Sequence, residues 1–302
     1  MFNIFILKRG RILDLQHDLA KIAKQDLINA GMTIPTDWDD YAICMNYLEI
    51  HQRWFDSSIP YRVVYSKELL MKITSLTQEE KLALQDIEMC LNKCEPLTLY
   101  MSKGIRETSI KKSDFLLKNW NIYHLHLEKL TPPKNYYTKP NLLFFQPKGN
   151  VVHFIDIIPH PKGSDWFNRD LLEIIYSNWP WLLTFLKEVK PLQSIPDDQI
   201  HNITKNMNII IDFHGGALFP SNFGVASSGN STKAVMETNR IFNALKKSED
   251  YLRENEDVIK QEIKNDIGIT VDNSLDYELI VEDNYFVAYE KTYHVKIKLF
   301  EV

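Results

Sequence analysis

Two histidines, His124 and His126, stand two residues apart in the segment 120–160. Imidazole titrates near neutral pH, so two positioned histidines can supply a general base and a general acid. Such a pair can cleave RNA without a metal ion if a nearby cation stabilises the phosphorane, and Lys129 follows closely. The sequence therefore predicts His124, His126 and Lys129 as catalytic residues.

Residues suited to binding RNA surround this pair. Lysines neutralise phosphates, and aromatic rings stack on bases. Lysines outnumber acidic residues in this segment, although the net charge of the whole chain is −5. The substrate-binding residues predicted here are Lys134, Tyr136, Tyr137, Lys139, His153 and His160.

The same histidines permit two other interpretations. Two histidines on one strand face can also bind one metal ion. The remaining ligands would come from His153, His160, Glu128 and Asp156. Alternation along a strand places His153 and Asp156 on opposite faces unless a bulge intervenes, which counts against that set. The third interpretation is a structural role on a half-buried sheet face, and it stays open.

Three predicted strands must position these side chains. Residues 122–128 alternate in polarity, so that His124 and His126 share a face. Residues 142–146 and 151–158 are short apolar runs, and Gly149-Asn150 between them is a turn signal. The sequence therefore predicts an antiparallel meander of three consecutive strands.

This short meander, with basic and aromatic residues at its edge, resembles the RelE and barnase-like toxins. The resemblance covers residues 120–160 and concerns layout rather than an exact motif. The catalytic residues differ among those toxins, so none is transferred to this chain. The resemblance implies a toxin or defence-type effector, with RNA and a neutralising protein as partners.

A second candidate is the loop before a predicted helix that begins near Thr232. Gly224 and Gly229 have the spacing of a P-loop, but Asn230 stands where that motif requires lysine. The NTPase interpretation is therefore rejected. Ser228 and Gly229 remain predicted ligands for an anion at the helix N-terminus, beside the alternative of an ordinary cap and turn.

A third candidate is His214-Gly215-Gly216, which follows a predicted strand. Its glycines permit a tight turn or a close approach of the backbone to a ligand. No G-x-S-x-G motif accompanies it, so a serine hydrolase is not expected.

The composition limits the class of protein. Hydrophobic residues make up 44% and charged residues 25% of the 302, as in a folded globular protein. Three cysteines, Cys44, Cys90 and Cys94, are too few for a disulfide framework, and we expect buried, reduced thiols. No run approaches the ~20 apolar residues of a membrane span, and residues 2–7 are too short for a signal peptide. We expect a cytoplasmic protein.

The predicted fold class is α/β (α+β), with a mainly antiparallel central sheet, packed helices and a helical N-terminal part. The predicted domains are a helical subdomain at 1–113 and an α+β subdomain at 114–302. The leading function is a metal-independent endoribonuclease that needs no cofactor. The alternative is a non-catalytic binding protein with a structural, histidine-bearing sheet.

Overall fold

The protein is a mixed α+β fold with a helical N-terminal part, as predicted; of the described residues, 44% are helical and 22% lie in strands. The computed structural model describes residues 13–102, 114–130, 136–161, 167, 169–189, 191, 195–203 and 207–302. The helices are α1 Leu15–Asn29, α2 Asp40–Arg53, α3 Lys67–Lys72, α4 Gln78–Lys93, α5 Phe115–Trp120, α6 Arg169–Asn178, α7 Asp197–Ile203, α8 Thr232–Glu254 and α9 Glu256–Ile267. The strands are β1 Arg62–Tyr65, β2 Tyr123–His126, β3 Asn141–Lys148, β4 Val151–Pro159, β5 Thr184–Leu186, β6 Ile211–Phe213, β7 Gly216–Phe219, β8 Tyr277–Glu282, β9 Tyr285–Glu290 and β10 Val295–Glu301.

The chain divides into two compact units. One is Glu49–Val235, and the other joins the described residues up to Leu48 with Met236–Val302. The division predicted at residue 113 falls at the edge of 103–113, which lies outside the described residues, and it stays a prediction. The strand β1, from the predicted N-terminal half, nevertheless pairs with β4.

The predicted meander is confirmed. The strands β2, β3 and β4 are antiparallel neighbours in a four-stranded sheet of order β1-β4-β3-β2. On the edge strand β2, His124 stands opposite Phe144 of β3, and His126 stands opposite Leu142. The fourth strand, β1, runs parallel to β4 and was not predicted as part of this sheet.

Helices cover both faces of this sheet. The strands β3 and β4 are apolar on both faces, a pattern typical of strands that are buried on both sides. On one face the core includes residues of α5 and α6, and on the other it includes residues of α3 and α4. The first core contains Phe144, Leu116 and Ile175, and the second contains Phe145, Leu125 and Ile87.

A β-bulge in β4 changes which side chains share a face. Phe145 pairs with Phe154, but Phe144 pairs with Asp156, so Ile155 is the extra residue. His153 stands opposite Gln146 and Asp156 opposite Phe144, which places His153 and Asp156 on one face. The bulge thus removes the alternation that would have placed them on opposite faces, and the sequence gives no clear signal of its position.

Three further expectations need correction. The apolar sequence after Pro180 predicts a helix at 181–189, but this segment forms a 3-10 turn at Pro180–Leu182 and then β5, which pairs with β7. The sequence also predicts a C-terminal hairpin of residues 277–281 and 285–300; the second of these segments forms two strands, β9 and β10, and the predicted turn at Asp283-Asn284 is confirmed by positive φ angles at both residues. Cys94 is exposed at the left-handed C-cap of α4, whereas Cys44 and Cys90 are buried, and all three are free thiols.

No helix within the described ranges is long and apolar enough to cross a membrane.

Candidate functional site

The helix α5 leads directly into the strand that carries the histidine pair. Asp114 caps α5, with its side chain accepting a hydrogen bond from the Leu117 amide at 3.0 Å. The helix ends at Asn121, which adopts a left-handed conformation with φ 56°, and β2 begins two residues later. Asn tolerates this conformation better than most residues because its short side chain can hydrogen-bond locally. The turn places β2 alongside the start of α5.

His124 and Asp114 form an ion pair across this turn. Nδ1 of His124 lies 3.2 Å from Oδ2 of Asp114, and the two side chains are 13% and 20% exposed. Burial acts to raise the pKa of the Asp114 carboxyl, but His124 and the Leu117 amide outweigh it, and the pKa is lowered. The carboxylate is therefore charged at neutral pH and lies against the His124 ring.

His126 lies in a different environment, beneath Tyr137. The two rings stack with centroids 3.6 Å apart and planes 4° apart. Nδ1 of His126 is buried and has no hydrogen-bond partner among the described residues. Burial, together with the charges of His124 and His160, lowers the pKa of His126 to about 4. This imidazole is therefore neutral at physiological pH.

Of the predicted substrate-binding residues, Tyr137 and His160 lie beside the histidine pair. The Tyr137 hydroxyl donates a hydrogen bond to the Met101 carbonyl at 2.6 Å, which fixes its ring over His126. The His160 ring centroid is 6.1 Å from that of His126. Tyr136 is 63% exposed, next to this stack.

The described lysines of the predicted basic loop are ion-paired. Nζ of Lys129 lies 3.2 Å from Oδ2 of Asp86 on α4. Lys139 pairs with Glu79, on the same helix. Lys134 lies outside the described residues. The positive charge of this loop is thus partly compensated by carboxylates of α4.

His153 does not join the pair. It is buried in the core, where Nδ1 lies 3.1 Å from the Gln146 carbonyl and its ring packs edge-on against Trp179. Asp156, which the bulge turns to the same face, binds Nζ of Lys72 at 2.5 Å. Within the described part of the chain, no three His, Cys, Asp or Glu side chains are arranged to hold a metal ion.

A buried ion cluster, not predicted from the sequence, is centred on Glu49, which is 2% exposed. Oε1 of Glu49 lies 2.7 Å from Nζ of Lys118 and 3.1 Å from Nη2 of Arg53. Burial acts to raise the pKa of Glu49, but the pairing with Lys118, the Ser231 amide and Arg53 lower it overall. Contacts between positions 49 and 118 depend on tertiary folding, so no local pattern could have indicated them.

The Glu49 carboxylate also binds the loop that precedes α8. Oε2 of Glu49 accepts hydrogen bonds from the Ser231 amide at 2.9 Å and from the Asn230 side chain at 3.0 Å. Ser228 is exposed, and the Gly229 carbonyl accepts a hydrogen bond from Lys118. The helix N-terminus therefore already binds a carboxylate of the protein itself, next to the predicted anion ligands Ser228 and Gly229.

A partly open cleft links the ion cluster to the His124–Asp114 pair. Its empty volume, including solvent at its mouth, is about 220 Å³. It is lined by Glu49, Gln52, Arg53, Asp114, Leu117, Lys118, Asn222 and Ser231. Asp114 is thus shared between the cleft and the histidine pair.

His214-Gly215 is the two-residue turn between β6 and β7. Both residues have positive φ, 52° and 72°, as in the turns that match the twist of paired strands. The His214 side chain is exposed, stacks on Tyr176 and lies 2.6 Å from the Glu173 carboxylate. The glycine is needed for the turn itself.

Comparison with known proteins gives no match, whether to family models, to curated protein sequences or to solved structures. The function is therefore inferred from the geometry of the histidine pair.

Proposed function

We propose that the protein is a metal-independent endoribonuclease whose acid–base pair is His124 and His126. The observation that carries this proposal is the contrast between two histidines on one face of an edge strand. His124 is held by the Asp114 carboxylate, while His126 is kept neutral by burial. Two titratable side chains held close together in different environments are typical of acid–base catalysis.

The roles follow from this contrast. His126 acts as the base through Nε2, since Nδ1 is buried, and accepts the proton of the RNA 2′-hydroxyl. The 2′-oxygen attacks phosphorus, the bond from phosphorus to the 5′-oxygen breaks, and His124 donates its proton to that oxygen. The products are a 2′,3′-cyclic phosphate and a 5′-hydroxyl end. Each proton transfer contributes on the order of 10²–10⁴-fold to the rate.

Substrate binding would involve the residues beside the pair. The exposed Tyr136 ring is available to stack on a base. Lys129 and Lys139 would exchange their pairing with Asp86 and Glu79 for contacts with RNA phosphates. As a toxin or defence-type effector acting in the cytoplasm, such an enzyme would require a neutralising partner protein.

Two observations favour a second function, that of a non-catalytic binding protein. Carboxylates of α4 already pair with Lys129 and Lys139, and His126 is only 8% exposed. In that case the stacked His126 and the His124–Asp114 pair stabilise the sheet edge, and the protein acts through a surface elsewhere.

The two functions are distinguished by incubating the purified protein with single-stranded RNA in EDTA. The nuclease proposal predicts cleavage with 2′,3′-cyclic phosphate ends, and no cleavage of DNA of the same sequence, which lacks the 2′-hydroxyl. Intact RNA under conditions where the protein is folded, across a panel of sequences, favours the binding protein.

A further inference from the structure

Residues 136–139 form a short segment, here called the strap, that covers His126. The Tyr137 ring lies flat on the imidazole, with ring centroids 3.6 Å apart and planes 4° apart. In this position His126 is only 8% exposed. A general base must come within about 2.6–3.2 Å of the group whose proton it accepts. With the strap in place, the imidazole is therefore largely closed to RNA.

Two sets of hydrogen bonds hold the strap in this position. The Tyr137 hydroxyl donates to the Met101 carbonyl at 2.6 Å. The Glu128 carboxylate accepts from the Thr138 hydroxyl at 2.7 Å, from the Thr138 amide, and from the Lys139 amide at 3.2 Å. Hydrogen bonds to a charged group are stronger than neutral ones, so Glu128 contributes most to holding the strap.

The strap can move without disturbing the sheet. It lies between β2 and β3, outside the helices and strands. Among the described residues, the two cores of the sheet do not include Tyr137, and Tyr136 and Thr138 are exposed. Exposed hydrogen bonds and few buried apolar contacts are typical of segments that open locally. Opening therefore requires the loss of the hydrogen bonds of Glu128 and Tyr137, while the strands stay paired.

We propose that the strap is a releasable cover that keeps RNA from His126 until the hydrogen bonds to Glu128 and Met101 break. As a statement about autoinhibition, this inference rests on the proposed nuclease function. The exposure of His126 is a property of the protein alone, and it can be measured without RNA.

Two conservative substitutions release the strap without removing the ring that covers His126. Glu128→Gln keeps the size of the side chain but loses its charge and one acceptor oxygen. Tyr137→Phe keeps the stacked ring but loses the hydroxyl. We expect the open population to rise by roughly 10-fold or more in Glu128→Gln and by roughly 2–10-fold in Tyr137→Phe.

The measurement is the rate at which diethyl pyrocarbonate modifies His126 at pH 7, followed by tandem mass spectrometry. His126 is neutral at this pH, so its rate reports access rather than charge. The exposed His214 is the internal reference, and its rate should not change. The matched control is Glu237→Gln, which removes a carboxylate paired with Arg240 and should leave the rate at His126 unchanged.

An unchanged rate at His126 in folded Glu128→Gln and Tyr137→Phe would overturn the inference. If Glu128→Gln does not fold, Tyr137→Phe and Thr138→Val carry the test. Thr138→Val removes only the hydroxyl that donates to Glu128, and it should also raise the rate.

RNA cleavage by Glu128→Gln separates the inference from the proposed function. Faster cleavage together with faster modification of His126 would support both. Faster modification in a protein that leaves RNA intact would support the releasable cover and reject the nuclease. Faster modification without faster cleavage, in a protein that cleaves RNA, would reject the inhibitory role of the strap.

Discussion

At the scale of single residues, the partner of each ring, rather than its residue type, distinguishes the two histidines. His124 and His126 have the same chemistry and adjacent positions, but one has a carboxylate partner and the other an aromatic ring. The sequence correctly placed the two histidines on one face of a strand, and their catalytic role stays a prediction. It could not indicate Asp114 as a partner, because that contact depends on the turn at Asn121.

The burial of His126 predicts a pH dependence of stability. Its pKa is lowered to about 4 in the folded protein, against ~6.5 for an unperturbed histidine. The unfolded state therefore binds a proton first, and stability is lost as pH falls from ~6.5 towards 4. Between pH 7 and pH 4.5, the free energy of unfolding of the wild type should fall by about 2 kcal/mol more than that of His126→Gln.

Urea unfolding at both pH values measures this difference. The matched control is His214→Gln, which changes an exposed histidine and should lose as much stability as the wild type. Equal losses in the wild type and His126→Gln would mean that His126 is accessible to protons in the folded state.

At the scale of elements, α5 links the helix cap to the histidine site. Asp114 both caps α5 and contacts His124. Removing its carboxylate should therefore destabilise the protein by more than the loss of a helix cap alone. We expect Asp114→Ala to destabilise the protein by about 1–2 kcal/mol. Asp114→Asn, which keeps an acceptor for the cap, should cost less.

Denaturant unfolding of both variants checks this order, with the exposed Asp37→Asn as the control that should be neutral. If Asp114→Asn and Asp114→Ala lose the same stability, the charge of Asp114 matters and its capping bond does not.

The helices and strands could be predicted from the sequence where a local pattern indicates them. The sequence predicts a capping box at Thr77 and Glu80, a cap at Ser66 and the alternating strands, and all of these are confirmed. Residues 181–189 were assigned wrongly because a short apolar run fits a buried strand and a helix equally well. The pairing of this segment with β7 makes it a strand, and no local sequence pattern indicates such pairing.

At the scale of the whole molecule, charge decides how RNA could bind. The chain has a net charge of −5, and the described lysines of the loop pair with α4 carboxylates. These ion pairs, and the long-range ion pairs of the buried Glu49 cluster, could not be predicted from the sequence because their partners are far apart along the chain. RNA binding through this loop should therefore be weak and sensitive to salt.

For each single-strand phosphate neutralised, the logarithm of the binding constant should fall by about 0.7 per log unit of salt. The Lys129/Lys134/Lys139→Ala variant should lower this slope, and Asp86→Asn should strengthen binding by releasing Lys129. A Lys24/Lys264/Lys298→Ala variant makes the same change in net charge and is the control. If both triple variants change the slope equally, the loop has no specific role.

The most direct test is the rate of RNA cleavage by His124→Ala and His126→Ala in EDTA, beside the control His214→Ala. With all three variants folded by circular dichroism, the account predicts that each of the first two loses on the order of 10²–10⁴-fold in rate and that the control loses none. Wild-type rates in both His124→Ala and His126→Ala, or inhibition by EDTA that zinc or manganese reverses, would contradict it.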